Sequence, residues 1–311
     1  MNIRLGYACI SKTLDITTSH TITYTNYEKL NKTEQEQKLK EIIEKNLENL
    51  EEILKYNIKN NIHFYRMSSK IFPLATHPKI ETNFLKKYKN KLEHIGKIIN
   101  DNKLRVDIHL DEFCVLNSTN PDIVNSTINI IKFYKNMLKT MNLKTYIILH
   151  IGSSSFGIQK SMTRFINNFK KLDEESKKMI ILENDDKVYN IKHVLYICKK
   201  LNIPMVLDYH HYICNNEKEN LIDYIEEIFK TWKNETPKVH LSSPKNKKEY
   251  RTHNNYINIE DFVALTHIIK KINIDFDIMI EAKEKDFALF KLVRELKYRN
   301  YRLIDETTIN M

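Results

Sequence analysis

The sequence predicts an α/β fold, a (β/α)₈ TIM barrel that forms a single domain over residues 1–311. Short apolar runs alternate with longer amphipathic segments along the whole chain, and this pattern indicates crossover units and a parallel sheet. There are eight such runs, the number that closes a barrel, and 311 residues is a typical length for one. No repeat or linker divides the chain. A doubly wound open sheet is the alternative arrangement of these elements.

The predicted strands are apolar along most of their length, as strands of a parallel sheet buried on both faces are. In chain order they are IRLGYAC (3–9), HFYRMSS (63–69), RVDIHL (105–110), YIILHIG (146–152), MIILEND (179–185), PMVLDYHH (204–211), PKVHLSS (237–243) and DIMIEAK (277–283). Between them, apolar residues recur at spacings of three and four, which predicts amphipathic helices. The clearest helical segments are 36–60, 122–142, 191–202 and 220–234.

The composition favours a cytoplasmic protein that binds a polyanion, and we expect a monomer. The formal net charge is +10, and clustered cations displace counterions from phosphates. A bias towards Lys, Asn and Ile, of the kind that AT-rich coding produces, is the competing explanation for this charge. Four scattered cysteines without a C-x-x-C pair suit a reducing compartment, and no run approaches the length of a membrane span. With four glycines and no phosphate-binding loop, no nucleotide cofactor is expected.

Histidines and carboxylates stand at the ends of six predicted strands and in the loop after one of them. They are His109, His150, Glu183, Asp208, His211, His240, His253 and Glu281. In a barrel the carboxyl ends of the strands surround one mouth, so these side chains should converge there. Without a cation the group would be destabilised by desolvation and by repulsion between carboxylates. A set of divalent metal ligands is therefore a better interpretation than a set of structural residues.

The mixture of ligands indicates the metal and the chemistry. Imidazole and carboxylate without thiolate suit Zn²⁺, Mn²⁺ or Fe²⁺. Eight ligands are too many for one ion, so we expect two or three ions with a bridging carboxylate. Such clusters activate water and stabilise the attacking and leaving oxygens in phosphodiester hydrolysis, which favours a nuclease. The alternatives are a xylose isomerase-like sugar isomerase or epimerase with one or two metals, and a non-catalytic DNA-damage binding protein.

Ordered motifs across essentially the whole chain resemble the UV damage endonuclease family, a relative of endonuclease IV and of xylose isomerase-like barrels. The matching strings are IRLGYAC, YRMSS with the following Pro and His, LHIG, LENDD, PMVLDYHH, PKVHLSS and MIEAKEKD. The resemblance implies a three-metal site, commonly with Mn²⁺ and with Zn²⁺ or Mg²⁺ as alternatives. It also implies a DNA repair enzyme that cuts damaged double-stranded DNA 5′ to UV photoproducts and other lesions. The eight residues match the family's metal ligands, with Glu183 as the bridging carboxylate.

Lys238 lies two residues before His240 in PKVHLSS, so both side chains point to one side of the strand. A free ammonium beside several cations would be repelled, so we expect Lys238 to be neutral or converted to a carbamate. It matches a lysine that can be carboxylated in this family, and the carbamate would join the metal ligands. The predicted catalytic residues are Glu183, Lys238 and Glu281.

The predicted DNA contacts surround the same mouth. Tyr7 matches an aromatic residue that probes the damaged site. Where the family pattern leads us to expect a Gln-Tyr pair after the third strand, this chain has Glu112 and Phe113, and Phe113 retains the ability to stack on or wedge between bases. Ser11 replaces an expected Asn. The full predicted set is Tyr7, Ser11, Arg66, His77, Glu112, Phe113 and Arg251, although helix capping or solvation would equally explain the basic members.

Overall fold

In a computed structural model, which describes residues 1–80 and 83–311, strands and helices alternate along the chain. The strands are β1 (Asn2–Ala8), β2 (Ile10–Ser11), β3 (Ile16–Thr17), β4 (Phe64–Met67), β5 (Arg105–His109), β6 (Tyr146–Leu149), β7 (Ile180–Glu183), β8 (Met205–Asp208), β9 (Lys238–Leu241), β10 (Phe276–Ile280), β11 (Arg302–Leu303) and β12 (Thr308–Asn310). Strands β1 and β4 to β10 pair in parallel in chain order, and β10 returns to β1. This closed eight-stranded barrel confirms the predicted fold, and each predicted run overlaps one of its strands, with β1 and β10 beginning one residue before their runs.

Helices connect consecutive barrel strands and cover the outside of the barrel. They are α1 (Tyr24–Tyr27), α2 (Lys32–Lys59), α3 (Phe84–Lys87), α4 (Lys89–Asp101), α5 (Pro121–Thr140), α6 (Ile158–Phe169), α7 (Glu174–Met179), α8 (Ile191–Leu201), α9 (Tyr209–Cys214), α10 (Ile225–Lys230), α11 (Ile259–Lys270) and α12 (Lys285–Tyr298). The longest, α2, begins at a capping box in which Asn31 and Glu34 each accept a hydrogen bond from the other's backbone N–H. None of the described helices is both long enough and apolar enough to cross a bilayer.

The segment 220–234 differs from the single helix that its pattern predicts. A 3₁₀ turn at Leu221–Asp223 precedes α10, and the helix ends at Lys230. Trp232, only 2% exposed, packs inside the barrel against the β6–β8 side chains and donates its Nε1–H to the Met205 carbonyl at 2.7 Å. A buried indole needs such an acceptor, and this contact takes the chain out of the helical path.

The barrel interior has an apolar half and an ionic half. Alternate residues of each strand point inwards, and below the strand ends those on the β6–β8 side are Ile148, Ile181 and Val206. On the opposite side, the carboxylate of Asp277 in β10 accepts hydrogen bonds from Arg4 in β1 at 2.6 and 2.7 Å and from Arg105 in β5 at 2.6 Å. Since buried charges require partners, these contacts join three strands across the barrel.

Candidate metal centre

The carboxyl ends of the barrel strands bring all eight predicted metal ligands into one cluster. His109, Glu183 and Asp208 are the last residues of β5, β7 and β8, and His240 lies within β9. His150 and Glu281 directly follow β6 and β10. His211 lies in α9, and His253 lies in the loop after β9. The run PMVLDYHH is only partly a strand, because Asp208 ends β8 and caps α9 by accepting the His211 N–H at 2.7 Å. This cap fixes His211 beside Asp208.

Glu183 lies at the centre of the cluster and is 1% exposed. Its Oε2 is 3.0 Å from His109 Nε2, and its Oε1 is 3.0 Å from His240 Nδ1 and 3.5 Å from His211 Nδ1. Burial by itself would raise the pKa of this carboxyl. The nearby imidazoles of His240 and His150 and the contact with His109 outweigh burial and hold the pKa well below its ordinary value. Glu183 is therefore a carboxylate shared among several neighbours.

Among the described residues, two groups of side chains have ligand atoms close enough together to hold a cation, and Glu183 belongs to both. Within each group the atoms lie within 4.8 Å of one another. The first group is His109, His150 and Glu183; the second is Glu183, Asp208, His240 and Glu281. The remaining two histidines lie beside the second group, with His211 Nδ1 3.8 Å from Asp208 Oδ2 and His253 Nδ1 4.0 Å from Glu281 Oε2.

Backbone carbonyl groups orient three of the histidines. The Nδ1 atoms of His109, His211 and His253 lie 2.7, 2.9 and 2.9 Å from the carbonyl oxygens of Leu110, Asn184 and Glu281. A carbonyl oxygen can only accept, so each Nδ1 carries a proton and each Nε2 of a neutral ring keeps its lone pair. Proteins orient metal-binding histidines by this type of contact.

Unpaired buried atoms in the cluster fit a cation. In the neutral ring, His109 Nε2 faces Glu183 Oε2 at 3.0 Å with lone pairs on both atoms, an arrangement that a cation would relieve. His150 Nδ1 and Asp208 Oδ2 are buried without a hydrogen-bond partner among the described residues. Each such atom costs about 1–3 kcal/mol when left unsatisfied. The donors, all imidazole or carboxylate, therefore suit divalent metal ions in both position and chemistry.

Arg66 lies inside this cluster, and its role as a DNA contact stays a prediction. The side chain is 7% exposed, its Nη1 is 2.5 Å from Glu281 Oε1, and its Nη2 is 2.6 Å from His240 Nε2. Arg66 faces the barrel interior on β4, and its guanidinium reaches the two candidate ligands from inside the barrel. Burial by itself would raise the pKa of the Glu281 carboxyl, but the positive charges of Arg66 and His240 outweigh burial and hold this pKa well below its ordinary value.

Lys238 has a partner that the sequence interpretation did not include. Its Nζ lies 2.5 Å from Asp107 Oδ2, and both side chains are almost fully buried. Burial lowers the pKa of Lys238 to about 8, although the neighbouring Asp107 carboxylate acts in the opposite direction. The expectation that Lys238 must be neutral or a carbamate is therefore incomplete, because an ammonium paired with Asp107 is also stable at this position.

Tyr7 and Ser11 are both fully buried in this structure, and their role as DNA contacts stays a prediction. Tyr7 is fully buried, and its hydroxyl donates to Asn57 Oδ1 on α2 at 2.8 Å. It shares the outward face of β1 with apolar residues, so its ring packs between the barrel and the helices. Ser11 is also fully buried and donates to Asp286 Oδ2 at 3.1 Å. Both residues hold the loop after β1 in place.

The other predicted DNA contacts are accessible at the mouth, and their role stays a prediction. Phe113 is 69% exposed in the loop after β5, next to the exposed Glu112. Arg251 is exposed in the loop after β9, with its guanidinium 5.5 Å from the ring centroid of Tyr250. His77 is half-buried and stacks on Tyr24 with 4.0 Å between ring centroids.

Sequence reasoning missed Asp107 and Asn184. Asn184 exchanges two hydrogen bonds of 2.9 Å with the backbone of Asp208, so it fixes the strand end that carries this ligand. Its position directly after Glu183 at a strand end was the available signal. Asp107 lies two residues before His109, so strand alternation puts both side chains inside the barrel. The same spacing relates Lys238 to His240.

Comparisons with known proteins identify relatives of this chain. A family model described as UV-endonuclease UvdE matches residues 3–310. The chain is 40% identical over 315 residues to the UV DNA damage endonuclease of Bacillus cereus (strain 03BB102), with 99% of each chain covered. The crystal structure of SacUVDE is similar with a TM-score of 0.86 and 33% identity, covering 96% of this chain and 99% of that one. A D-tagatose 3-epimerase-like protein, with a TM-score of 0.57 and 16% identity over 78% of this chain and 90% of that one, shares the fold alone.

Proposed function

Because the chain belongs to the UV-endonuclease UvdE family, we propose that it is a metal-dependent DNA repair endonuclease that nicks the backbone 5′ to UV photoproducts and other distorting lesions. As an endonuclease it hydrolyses phosphodiester bonds. The observation that supports the proposal most directly is the group of histidines around the buried Glu183, in which three rings are held by carbonyl groups through Nδ1, leaving Nε2 to bind a cation.

We propose that the cluster holds two or three divalent ions, with Mn²⁺ preferred and Zn²⁺ or Mg²⁺ as alternatives. Glu183 would serve both groups of ligands defined above, and His211 and His253 would supply a further ion. Bound there, the ions would activate water and stabilise the attacking and leaving oxygens. Asn184 holds the backbone of Asp208, and Arg66 orients Glu281 and His240 from inside the barrel. Glu183 and Glu281 are the carboxylates on which catalysis would depend.

We propose that the substrate is damaged double-stranded DNA, bound across the mouth by a cytoplasmic monomer whose residues 1–311 act as one catalytic domain. Phe113 would stack on or wedge between bases, and Arg251 would contact phosphates. His77 and Glu112 lie at the same mouth, where the carboxylate of Glu112 would have to avoid the phosphates. The four free cysteines are compatible with a reducing compartment.

A sugar isomerase or epimerase remains the second candidate from the sequence alone, and the family favours the nuclease over it. The epimerase-like structure is 16% identical to this chain, whereas the UV DNA damage endonuclease of Bacillus cereus is 40% identical along nearly its full length. A non-catalytic binding protein with a decayed site fits less well, since all eight predicted ligands are grouped around Glu183.

Nicking of UV-irradiated plasmid in the presence of Mn²⁺ tests the proposal. We expect conversion of supercoiled to relaxed plasmid that depends on both the UV dose and the metal. Mapping of the nick on a duplex with one photoproduct should place it 5′ to the lesion. The control is the same plasmid without irradiation. If irradiated and unirradiated plasmids were cut equally with Mn²⁺, Zn²⁺ and Mg²⁺, the lesion-specific activity would be ruled out.

The carboxylation of Lys238 also stays a prediction, and it requires the contact between Nζ and Asp107 to open. We expect protein equilibrated with Mg²⁺ and ¹³C-labelled bicarbonate to show a carbamate carbon by NMR. The signal should be absent in Lys238→Met and present in the control Lys97→Met, which changes an exposed lysine on α4. A wild-type spectrum without this carbon would show that Lys238 remains an amine paired with Asp107.

A further inference from the structure

Phe156 is an exposed aromatic residue at the mouth, and packing of the fold does not explain its presence there. It lies in the loop between β6 and α6, six residues after the metal-ligand candidate His150, and its side chain is 75% exposed. Among the described residues, Phe156 and Phe113 are the two most exposed phenylalanines. The loops that carry them follow neighbouring strands of the barrel, and both open towards the mouth.

The backbone of Phe156 adopts a conformation that bulky residues avoid. Its φ is +65°, in the left-handed region that favours glycine and asparagine. Among the described residues, the apolar ones with positive φ are Cys9, Leu74 and Phe156, and each lies in a loop after a barrel strand at the mouth. Cys9 and Leu74 are partly buried, whereas Phe156 is not. Such outliers concentrate at functional sites.

Hydrogen bonds hold the loop on both sides of Phe156. The Ser155 carbonyl accepts from Arg164 Nη2 at 2.6 Å and from Ser161 Oγ at 3.0 Å. The Gly157 N–H donates to the Ser154 carbonyl at 2.8 Å. The aromatic ring is therefore presented to solvent from a fixed turn, and its exposure does not come from a loose chain.

The same contacts join this loop to the one that carries Phe113. Asn117, fully buried, donates to the Ser153 carbonyl at 2.5 Å, and its own carbonyl accepts from Arg164 Nε at 2.9 Å. Gly152, with φ of +112°, allows the close approach, because an added Cβ would lie 2.4 Å from Asn117 Oδ1. Both aromatic residues thus belong to one hydrogen-bonded unit above His109 and His150.

We propose that Phe156 is a second aromatic DNA contact, which stacks on a nucleobase that the lesion has left unstacked. The inference rests on the proposed function and adds a residue to its substrate site. Aromatic rings bind unpaired bases of any sequence through their faces, and damaged bases are easier to unstack than intact ones. An aromatic ring held open to solvent in the loop that follows His150 supplies such a face. Phe156 is therefore a specificity residue for damaged DNA.

Tryptophan fluorescence tests the contact without relying on cleavage. The chain has a single tryptophan, Trp232, which is buried in the barrel, so Phe156→Trp adds a reporter at the mouth. Metal-loaded protein is mixed rapidly with a duplex containing one photoproduct, and emission is followed before the strand is cut. We expect quenching with this duplex and little with undamaged duplex. The matched control is Tyr298→Trp, a position that is 94% exposed at the end of α12 and away from the mouth.

Affinity and thermal stability of four variants separate stacking from a structural role. Phe156→Ala and Phe156→Leu should weaken binding of the damaged duplex about tenfold, whereas Phe156→Tyr should retain it. Phe156→Gly should also bind weakly, yet its melting temperature should equal or exceed that of the wild type, because glycine relieves the left-handed backbone. A structural residue would instead lower the melting temperature when it is replaced by glycine.

Two outcomes would overturn the inference. One is unchanged emission of Phe156→Trp on a damaged duplex that this variant still cuts. The other is wild-type affinity of Phe156→Ala for that duplex. Failure of the wild-type protein itself to bind or cut damaged DNA is a different result, because it would remove the proposed function and this inference with it.

Discussion

Replacing Glu183 with Gln is expected to reduce nicking of UV-irradiated plasmid by about 10³-fold or more, since a metal centre contributes several kcal/mol to the transition state. The side chain keeps its size but loses the negative charge that His109 and His240 face at 3.0 Å. Because Glu183 belongs to both groups of candidate ligands, one substitution should disturb both. Nicking rates and bound metal per chain, measured on the same preparation by plasmid relaxation and elemental analysis, check the expectation.

The matched control for this variant is Glu48→Gln, which removes the same charge from the exposed face of α2. It should nick like the wild type and bind the same amount of metal. Circular dichroism should show both variants folded, so that loss of activity is not loss of the barrel. If Glu183→Gln kept its metal and nicked within about tenfold of the wild type, Glu183 would not be the bridging ligand.

Replacing Lys238 with Met is expected to lower the free energy of unfolding of the metal-free protein by about 3 kcal/mol. The change removes the ammonium 2.5 Å from Asp107 and leaves that carboxylate buried. Burial by itself would raise the pKa of Asp107, and the charges of Lys238 and then Arg66 hold it low. Arg66 Nε, 3.4 Å away, compensates only part of the loss. Urea unfolding followed by circular dichroism measures the difference.

A double variant separates the unpaired charge from the loss of a side chain. Lys238→Met combined with Asp107→Leu should recover most of the stability, because an apolar pair can replace a buried ion pair at little cost. The exposed Lys97→Met on α4 should change the free energy of unfolding by no more than about 0.5 kcal/mol. Equal stability of Lys238→Met and the wild type would mean that the Lys238–Asp107 contact does not stabilise the metal-free barrel.

The fold could be predicted because the hydrophobic pattern of the sequence shows the alternation of strands and helices. Each of the eight apolar runs overlaps a barrel strand, and the 36–60 pattern lies within α2, Lys32–Lys59, but for one residue. The prediction of a single helix over 220–234 was wrong. The pattern of this segment is helical throughout, but the contact that ends the helix joins Trp232 to Met205, far away in sequence. Local periodicity carries no signal for such a tertiary contact.

The site could be predicted only in part, since residues at strand ends were identified but the faces of the strands were not. To predict the candidate metal ligands it was enough to locate the strand ends, because the barrel brings these ends together. To place Tyr7 and Arg66, the face of the strand on which each side chain lies had to be known as well. Period-two alternation puts Tyr7 outwards with Ile3 and Leu5, and puts Arg66 inwards with Phe64. The same alternation would have placed Asp107 beside Lys238 inside the barrel.

The division of the barrel interior has a consequence for how a chain of this kind can change over time. On the apolar side, Ile148, Ile181 and Val206 interact only by apolar packing. Single substitutions that keep the side-chain volume are therefore tolerated there. On the ionic side, substitution of one member of the Lys238–Asp107 pair leaves the charge of its partner buried and unpaired. Sequence divergence should therefore proceed by single steps on one side of the barrel and by paired, compensating steps on the other.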